Sequence, residues 1–273
     1  MKGDYRKEVN IKPNDVKQGD TQFSVAEMND KNERYLRQIT IAEIGEIGQE
    51  KLKNSSVLIV GAGGLGTPCA LYLAGAGVGV IGIADADDVS VSNLHRQVIH
   101  PASHTGMNKA KSAKEYKLAI NDEITVITYP YFITLDNVED IISEYDFVLI
   151  CVDNFETRFL VNDTCVKLRK PFCNGGVIRF EGQVLTYVPG EGPCYRCIFE
   201  DIPEDVPNNA ELGVMGPAVG VIGSLQALEA IKYITGVGEL LIGRMLIFDG
   251  LTMETRIAKF PKASIWCPAC GGK

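Results

Sequence analysis

Residues 57–87, VLIVGAGGLGTPCALYLAGAGVGVIGIADAD, carry no charge until Asp85. An apolar stretch of roughly 18 residues or more is long enough to span a bilayer. Its composition excludes a span, because eight glycines and Pro68 fall between Val57 and Ala84. They divide the stretch into a β-branched run, a Gly-rich turn, a helical segment and a second β-branched run. A β-α-β unit of this kind is buried on both faces of its parallel strands, and so it is apolar without alternation.

The same alternation extends in both directions. Upstream, Glu33 to Lys53 reads as short helices interrupted by Gly45 and Gly48, ahead of a strand at Val57–Val60. A helix over Leu65–Ala76 and a strand at Val80–Asp85 complete the first unit. Downstream come a helix over Lys109–Ile120, a strand at Ile124–Tyr129, a helix near Asn137–Ser143 and a strand at Phe147–Cys151. Glu156–Lys167 reads as a further helix and Pro171–Asn174 as a short strand. This spacing predicts an α/β fold with a mostly parallel sheet. From Gly176 the pattern changes: Ile178–Val188 and Met245–Phe260 suit antiparallel strands added to that sheet, with a long helix over Pro217–Thr235 between them. Residues 1–31 are polar, lack periodicity and read as a flexible extension. Residues 32–273 then form one domain.

Lys and Arg number 27 against 35 Asp and Glu, a net charge of −8, and the basic residues are scattered. Binding to a nucleic-acid backbone needs clustered cations, so no nucleic-acid partner is expected. MKGDYRKEVN has no apolar h-region, so no membrane association is expected and the compartment is read as cytoplasmic. In that compartment the eight cysteines point to metal binding or burial rather than disulfides. Cys194–Cys197 and Cys267–Cys270 are two CxxC pairs, whereas Cys69, Cys151, Cys165 and Cys173 stand alone in apolar segments as core residues. Four thiolates from two knuckles satisfy tetrahedral zinc with no open position, the pattern of a structural ion.

Gly61-Ala62-Gly63-Gly64-Leu65-Gly66 fits GxGxxG, directly after a strand and at a helix start, where exposed N–H groups and the helix dipole hold phosphate. Asp85 closes the second strand, placed to accept hydrogen bonds from ribose hydroxyls. A nicotinamide oxidoreductase fits equally well to this point. The segment after Asp85 separates the two, since DADDVSVSNLHRQ and GMNKAK deliver Asn93, Arg96, Gln97 and Lys109. Hydride transfer needs little cationic charge beyond the pyrophosphate, whereas attack of an anion on phosphorus needs a good deal. His95, His100 and His104 lack a matching acidic or thiol partner and read as structural.

The set of motifs resembles the MoeB/ThiF family of ubiquitin-activating-like adenylyltransferases, MoeB-type enzymes in particular. RYLRQI, GAGGLG, DADDVSVSNLHRQ, GMNKA, CVDNFETR, GGVIRFEGQV, PCYRC, GVMGPAVGVIGSLQALEAIK and CPACG occur in order from about Arg34 to Gly271. The resemblance implies a Rossmann-like sheet continued by antiparallel strands, with a structural zinc knuckle. It implies a reaction between ATP and the C-terminal carboxylate of a small carrier protein ending in Gly-Gly, giving an acyl-adenylate and pyrophosphate. A terminal carboxyl with a pKa of about 3.3–3.7 is already ionised, so no general base is required. By the same resemblance Arg96 and Lys109 contact the phosphates, Asn93 and Gln97 assist, Asp85 holds the ribose and Asp153 holds Mg²⁺. Asp153 also has the simpler reading of a cap for the helix near Glu156. Arg37 resembles a finger reaching into the partner subunit's site, which implies a homodimer.

The sequence departs from the family's pattern between Cys197 and Cys267. Many relatives carry a cysteine in this crossover loop, where Asn209 stands here, and no other cysteine lies between the two CxxC pairs. The expected product is therefore a free adenylate, attacked by a separate sulfur donor or an amine. The chain ends three residues after Cys270, so a fused sulfur-donating domain is not expected. The terminal CGGK reads as a coincidence rather than a carrier tail. Alternative readings are activation of a peptide C-terminus in natural-product assembly and a silent zinc-binding scaffold.

Overall fold

The computed structural model describes residues 30–199, 212–260 and 262–271. The predicted extension therefore lies almost wholly outside the described residues, and so does Asn209. Eight strands form one sheet in the order β3-β2-β1-β4-β5-β6-β7-β8. The parallel half comprises β1 (Ser56–Val60), β2 (Val80–Ala84), β3 (Thr125–Tyr129), β4 (Phe147–Ile150) and β5 (Phe172–Ile178). Antiparallel pairing then adds β6 (Glu181–Tyr187), β7 (Arg244–Asp249) and β8 (Glu254–Lys259).

Alternate residues of each strand feed two cores. Val57, Ile59, Ile81, Ile83 and Leu149 pack against α3 (Gly66–Ala76), α4 (Lys109–Ile120) and the 20-residue α8 (Gly216–Thr235). Leu58, Val60, Val148, Ile150 and Phe172 pack on the other face against α5 (Val138–Ser143), α6 (Phe155–Lys167) and the short α7 (Tyr195–Ile198). Burial on both faces is why, apart from Ser56 at the start of β1, β1, β2 and β4 contain no polar position to mark an outer side.

Two expected boundaries move. Upstream of β1, α1 (Leu36–Ile39) and α2 (Gly45–Lys53) are separated by residues 40–44, Gly45 being the first residue of α2, and Gly48 does not interrupt α2. Gly48 is buried inside α2, where an added Cβ would stand 3.0 Å from Ile44. Close packing thus explains this glycine, and a break does not. The strand expected at Pro171–Asn174 runs on to Ile178, and the next one starts at Glu181. Gly175 and Gly176 continue β5: a Cβ at Gly175 would lie 2.3 Å from the Gln226 Oε1 of α8, and one at Gly176 would lie 3.3 Å from Arg158 Nη1.

Candidate active site

In open sheets of this order the chain leaves β1 and β4 in opposite directions, opening a crevice beyond their carboxyl ends. Here that crevice is a cavity of about 740 Å³. Its floor is the turn after β1. Gly61 adopts a φ of +99°, and a Cβ there would meet the Cys151 carbonyl oxygen at 2.7 Å. A Cβ at Gly66 would stand 1.9 Å from the Gly61 carbonyl oxygen, and one at Gly64 would be 2.6 Å from Val219 of α8. Two of these glycines therefore let backbone lie on backbone, and Gly64 admits α8. Gly63 borders the cavity. No side chain caps α3, and its N-cap residue Leu65 lines the crevice, so the positive end of the helix lies there.

Asp85 follows β2. Its carboxylate accepts from the Ala62 N–H at 2.7 Å and from the Asp87 N–H at 2.9 Å. Burial raises the Asp85 carboxyl above its ordinary range, against the lowering by Lys109 and by these two donors. Lys109, the first residue of α4, is 6 % exposed and donates to Asp87 at 2.8 Å. Arg96 donates to the Ser92 carbonyl at 3.2 Å and to His95 Nε2 at 2.8 Å, and it lines the cavity. Gln97 is buried beside Gly63, and its Oε1 has no partner. An uncapped helix start and glycines without Cβ make a cradle that fits a nucleotide's phosphates, and the orphaned Gln97 Oε1 suits a donor such as a ribose hydroxyl.

Asp153 is exposed on the opposite wall and forms no ion pair among the described residues, which suits a carboxylate ligand for Mg²⁺. The cap of α6 is not Asp153 but Asn154, whose side chain accepts from the Thr157 N–H at 2.8 Å. Gly61, Gly63, Gly64, Asp85, Arg96, Gln97, Lys109 and Asp153 thus share one cavity. Asn93, Gly66 and Arg37 do not line it. Asn93 accepts the Arg96 and Gln97 N–H groups through its carbonyl, and Arg37 is exposed on α1.

Arg158 carries no role in the sequence reading, yet it is 6 % exposed and lines the cavity. It donates to the Val152 carbonyl at 2.7 Å and lies over the rings of Phe155 and Tyr195. No carboxylate among the described residues forms an ion pair with it, and its Nε has no hydrogen-bond partner. A buried cation without an anion is costly unless a ligand supplies one. A signal was present, since Arg158 occupies an apolar slot on the Phe155, Phe159, Asn162 face of α6. Tyr131 and Phe132, beyond β3, also line the cavity and were not foreseen.

The four cysteines of the CxxC pairs meet on the other side of the sheet. Their sulfurs lie within 4.8 Å of one another, with Cys194 3.5 Å from Cys267 and Cys197 3.4 Å from Cys270. Tetrahedral zinc with bonds of about 2.3 Å sets sulfurs about 3.8 Å apart, so the set fits that ion. Burial and the three neighbouring sulfurs push the Cys194 thiol well up, and a dication is what converts such a cluster to thiolates. Among the described residues it is the one cluster of this kind, and the three histidines form none. Cys69, Cys151, Cys165 and Cys173 are buried. No described helix is long and apolar enough to cross a membrane.

Comparison with known proteins places the chain. The adenylyltransferase and sulfurtransferase MOCS3 of Culex quinquefasciatus is 49 % identical over 244 residues, 89 % of this chain and 56 % of that protein. MOCS3 of Aedes aegypti is 47 % identical over the same shares. The chain spans a little over half the length of these relatives. Among solved structures, E. coli MccB with MccA-N7isoASN superposes with a TM-score of 0.79 at 26 % identity, covering 89 % of this chain and 76 % of that one. PaaA superposes at 0.72 and 26 %, covering 89 % and 77 %. The ThiF family matches residues 35–269, from just before α1 to within the last cysteine pair, and the chain belongs to that family.

Proposed function

We propose that the chain is an adenylyltransferase that joins AMP to the C-terminal carboxylate of a small ubiquitin-like sulfur-carrier protein. The observation that carries this reading is the gathering of Arg96, Lys109 and the buried Arg158, which has no carboxylate partner among the described residues, around one glycine cradle, with Asp153 opposite. Three cations on one cavity suit a reaction between two anions and exceed what hydride transfer needs. Of the two activities in the MOCS3 names, adenylyl transfer is the one this cavity suits.

A carboxylate oxygen of the carrier's last residue attacks the α-phosphorus of ATP, and the bond from that phosphorus to the bridging oxygen breaks. Pyrophosphate leaves with its electron pair, and no proton transfer is needed because the carboxylate is already ionised. Arg96, Lys109 and the Gly63 N–H offset the charge of the phosphates, and Arg158 receives the incoming carboxylate. Asp85 and Gln97 orient ribose and phosphate, while Tyr131 and Phe132 offer aromatic surface for the base. Asp153 would hold Mg²⁺, which supplies Lewis-acid neutralisation of the phosphate oxygens. Cys194, Cys197, Cys267 and Cys270 would hold zinc, which would tie the chain beyond β8 to α7. Without a crossover-loop cysteine the adenylate is released to a separate sulfur donor. Arg37 reaches the cavity of a second copy. An exposed apolar face of Tyr72, Val98, Val221 and Leu228 that adjoins Arg96 supports such pairing.

Intact-mass analysis of a carrier ending in Gly-Gly, incubated with Mg-ATP and the protein, tests the reading. The carrier gains AMP with the wild type, gains none with Asp153→Ala, and the enzyme itself gains no adduct. An unmodified carrier with a modified peptide C-terminus would favour a substrate like the MccA with which MccB is complexed.

A further inference from the structure

We infer that His100 is a positioning residue for the phosphate cradle: by donating Nε2–H to the Ala62 carbonyl it turns the Ala62–Gly63 peptide so that the Gly63 N–H faces the cavity. This rests on the nucleotide reading above and adds to it a residue that does not touch the cavity.

His100 is 4 % exposed, with Nε2 2.9 Å from the Ala62 oxygen and Nδ1 2.8 Å from Ser112 Oγ. A carbonyl oxygen only accepts, so Nε2 carries the hydrogen. No carboxylate contacts the ring, and burial holds His100 below the ordinary histidine range, so Nδ1 is bare. Ser112, fully buried, then donates to Nδ1 and accepts from His104 Nδ1–H at 2.9 Å, while His104 Nε2 stands 3.4 Å from Glu115 at the surface. Each hydrogen in this chain is assigned by elimination.

The chain ends on the turn that matters. The peptide bonds are trans, so a carbonyl and the following N–H point in opposite directions. With the Ala62 carbonyl drawn toward His100, the Gly63 N–H is left without a partner among the described residues, on the cavity side. The Ala62 N–H, meanwhile, is held by Asp85. His100 and Asp85 therefore clamp Ala62 from both ends, one through its carbonyl and one through its N–H. A merely structural histidine would satisfy some buried carbonyl. This one satisfies the carbonyl whose direction sets the donor aimed at phosphate.

The test compares His100→Leu, His100→Gln and His100→Asn for calorimetric affinity toward Mg-ATP and toward adenosine, which lacks phosphates. A Gln amide reaches to the Nε2 position and an Asn amide to the Nδ1 position. Leu should weaken ATP about tenfold, the loss of one well-made hydrogen bond, and leave adenosine unchanged. Gln should restore most of the ATP affinity and Asn should not. If Leu does not fold, the Gln and Asn pair decides alone. ATP affinity unchanged in Leu, equal losses of ATP and adenosine, or rescue by Asn instead of Gln would each overturn the inference. An Nδ1–H tautomer for His100 in long-range proton-nitrogen spectra would do the same. A wild type that binds no Mg-ATP would overturn the adenylyltransferase reading itself.

Discussion

Asp85 is where burial and function pull against each other. Its folded carboxyl is raised by desolvation more than Lys109 and the two N–H donors lower it. A raised folded pKa means that the group's contribution to stability is present below its unfolded value, about 3.9, and is lost as pH rises through the folded value. Asp85→Asn does not titrate, so its stability relative to wild type should improve from about pH 4 upward. Urea unfolding across that range checks this, and parallel curves would refute it. Nucleotide affinity should run the other way, falling on acidification in the wild type because the ionised form accepts from ribose. The residue type at Asp85 was legible because it ends a strand in a known pattern. Arg158 was not, because its significance lies in having no anion nearby, and a sequence does not show what is absent around a side chain.

At the scale of one element, α3 contains two glycines with opposite outcomes. Gly66→Ala would place a Cβ 1.9 Å from the Gly61 carbonyl oxygen, while Gly75→Ala meets nothing within 4 Å. The first should destabilise by about 3 kcal/mol or more and the second should stabilise by about 1 kcal/mol, as measured by chemical denaturation. The pattern GxGxxG made Gly66 legible, and only the packing distinguishes Gly75. Similarly, the cap of α6, read from the sequence as Asp153, is Asn154. The direction in which the chain leaves β4 gives the cap to Asn154 and leaves Asp153 to the cavity. The cysteine cluster makes a further element-scale prediction: metal analysis should find about one zinc per chain. Cys270→Ser should cost about 3 kcal/mol or more, since binding to a closed zinc site contributes directly to folding. Unchanged stability with no zinc in the wild type would remove the knuckle.

For the whole molecule, the open question is whether one chain makes a complete site. Arg37 is exposed on α1 and does not line its own chain's cavity. Arg37→Ala and Asp153→Ala should each be inactive alone. Mixed after dissociation and reassociation, they should regain about one quarter of wild-type activity, because half the dimers are mixed and each of these holds one intact site. No recovery would mean that Arg37 acts within its own chain or not at all.

The sequence by itself determined the sheet's parallel half, the glycine turn, the pairing of the two CxxC knuckles and most of the charged residues singled out on the cavity wall, Asp85, Arg96, Lys109 and Asp153. These are local patterns: a period, a turn chemistry, a spacing. The tertiary structure alone decided the continuation of β5 through its double glycine, the cap of α6, the isolation of Arg158 and the chain from Glu115 to Ala62. Each of these depends on atoms brought together from distant parts of the chain, where packing and unmatched hydrogen-bonding groups, rather than residue order, set the outcome.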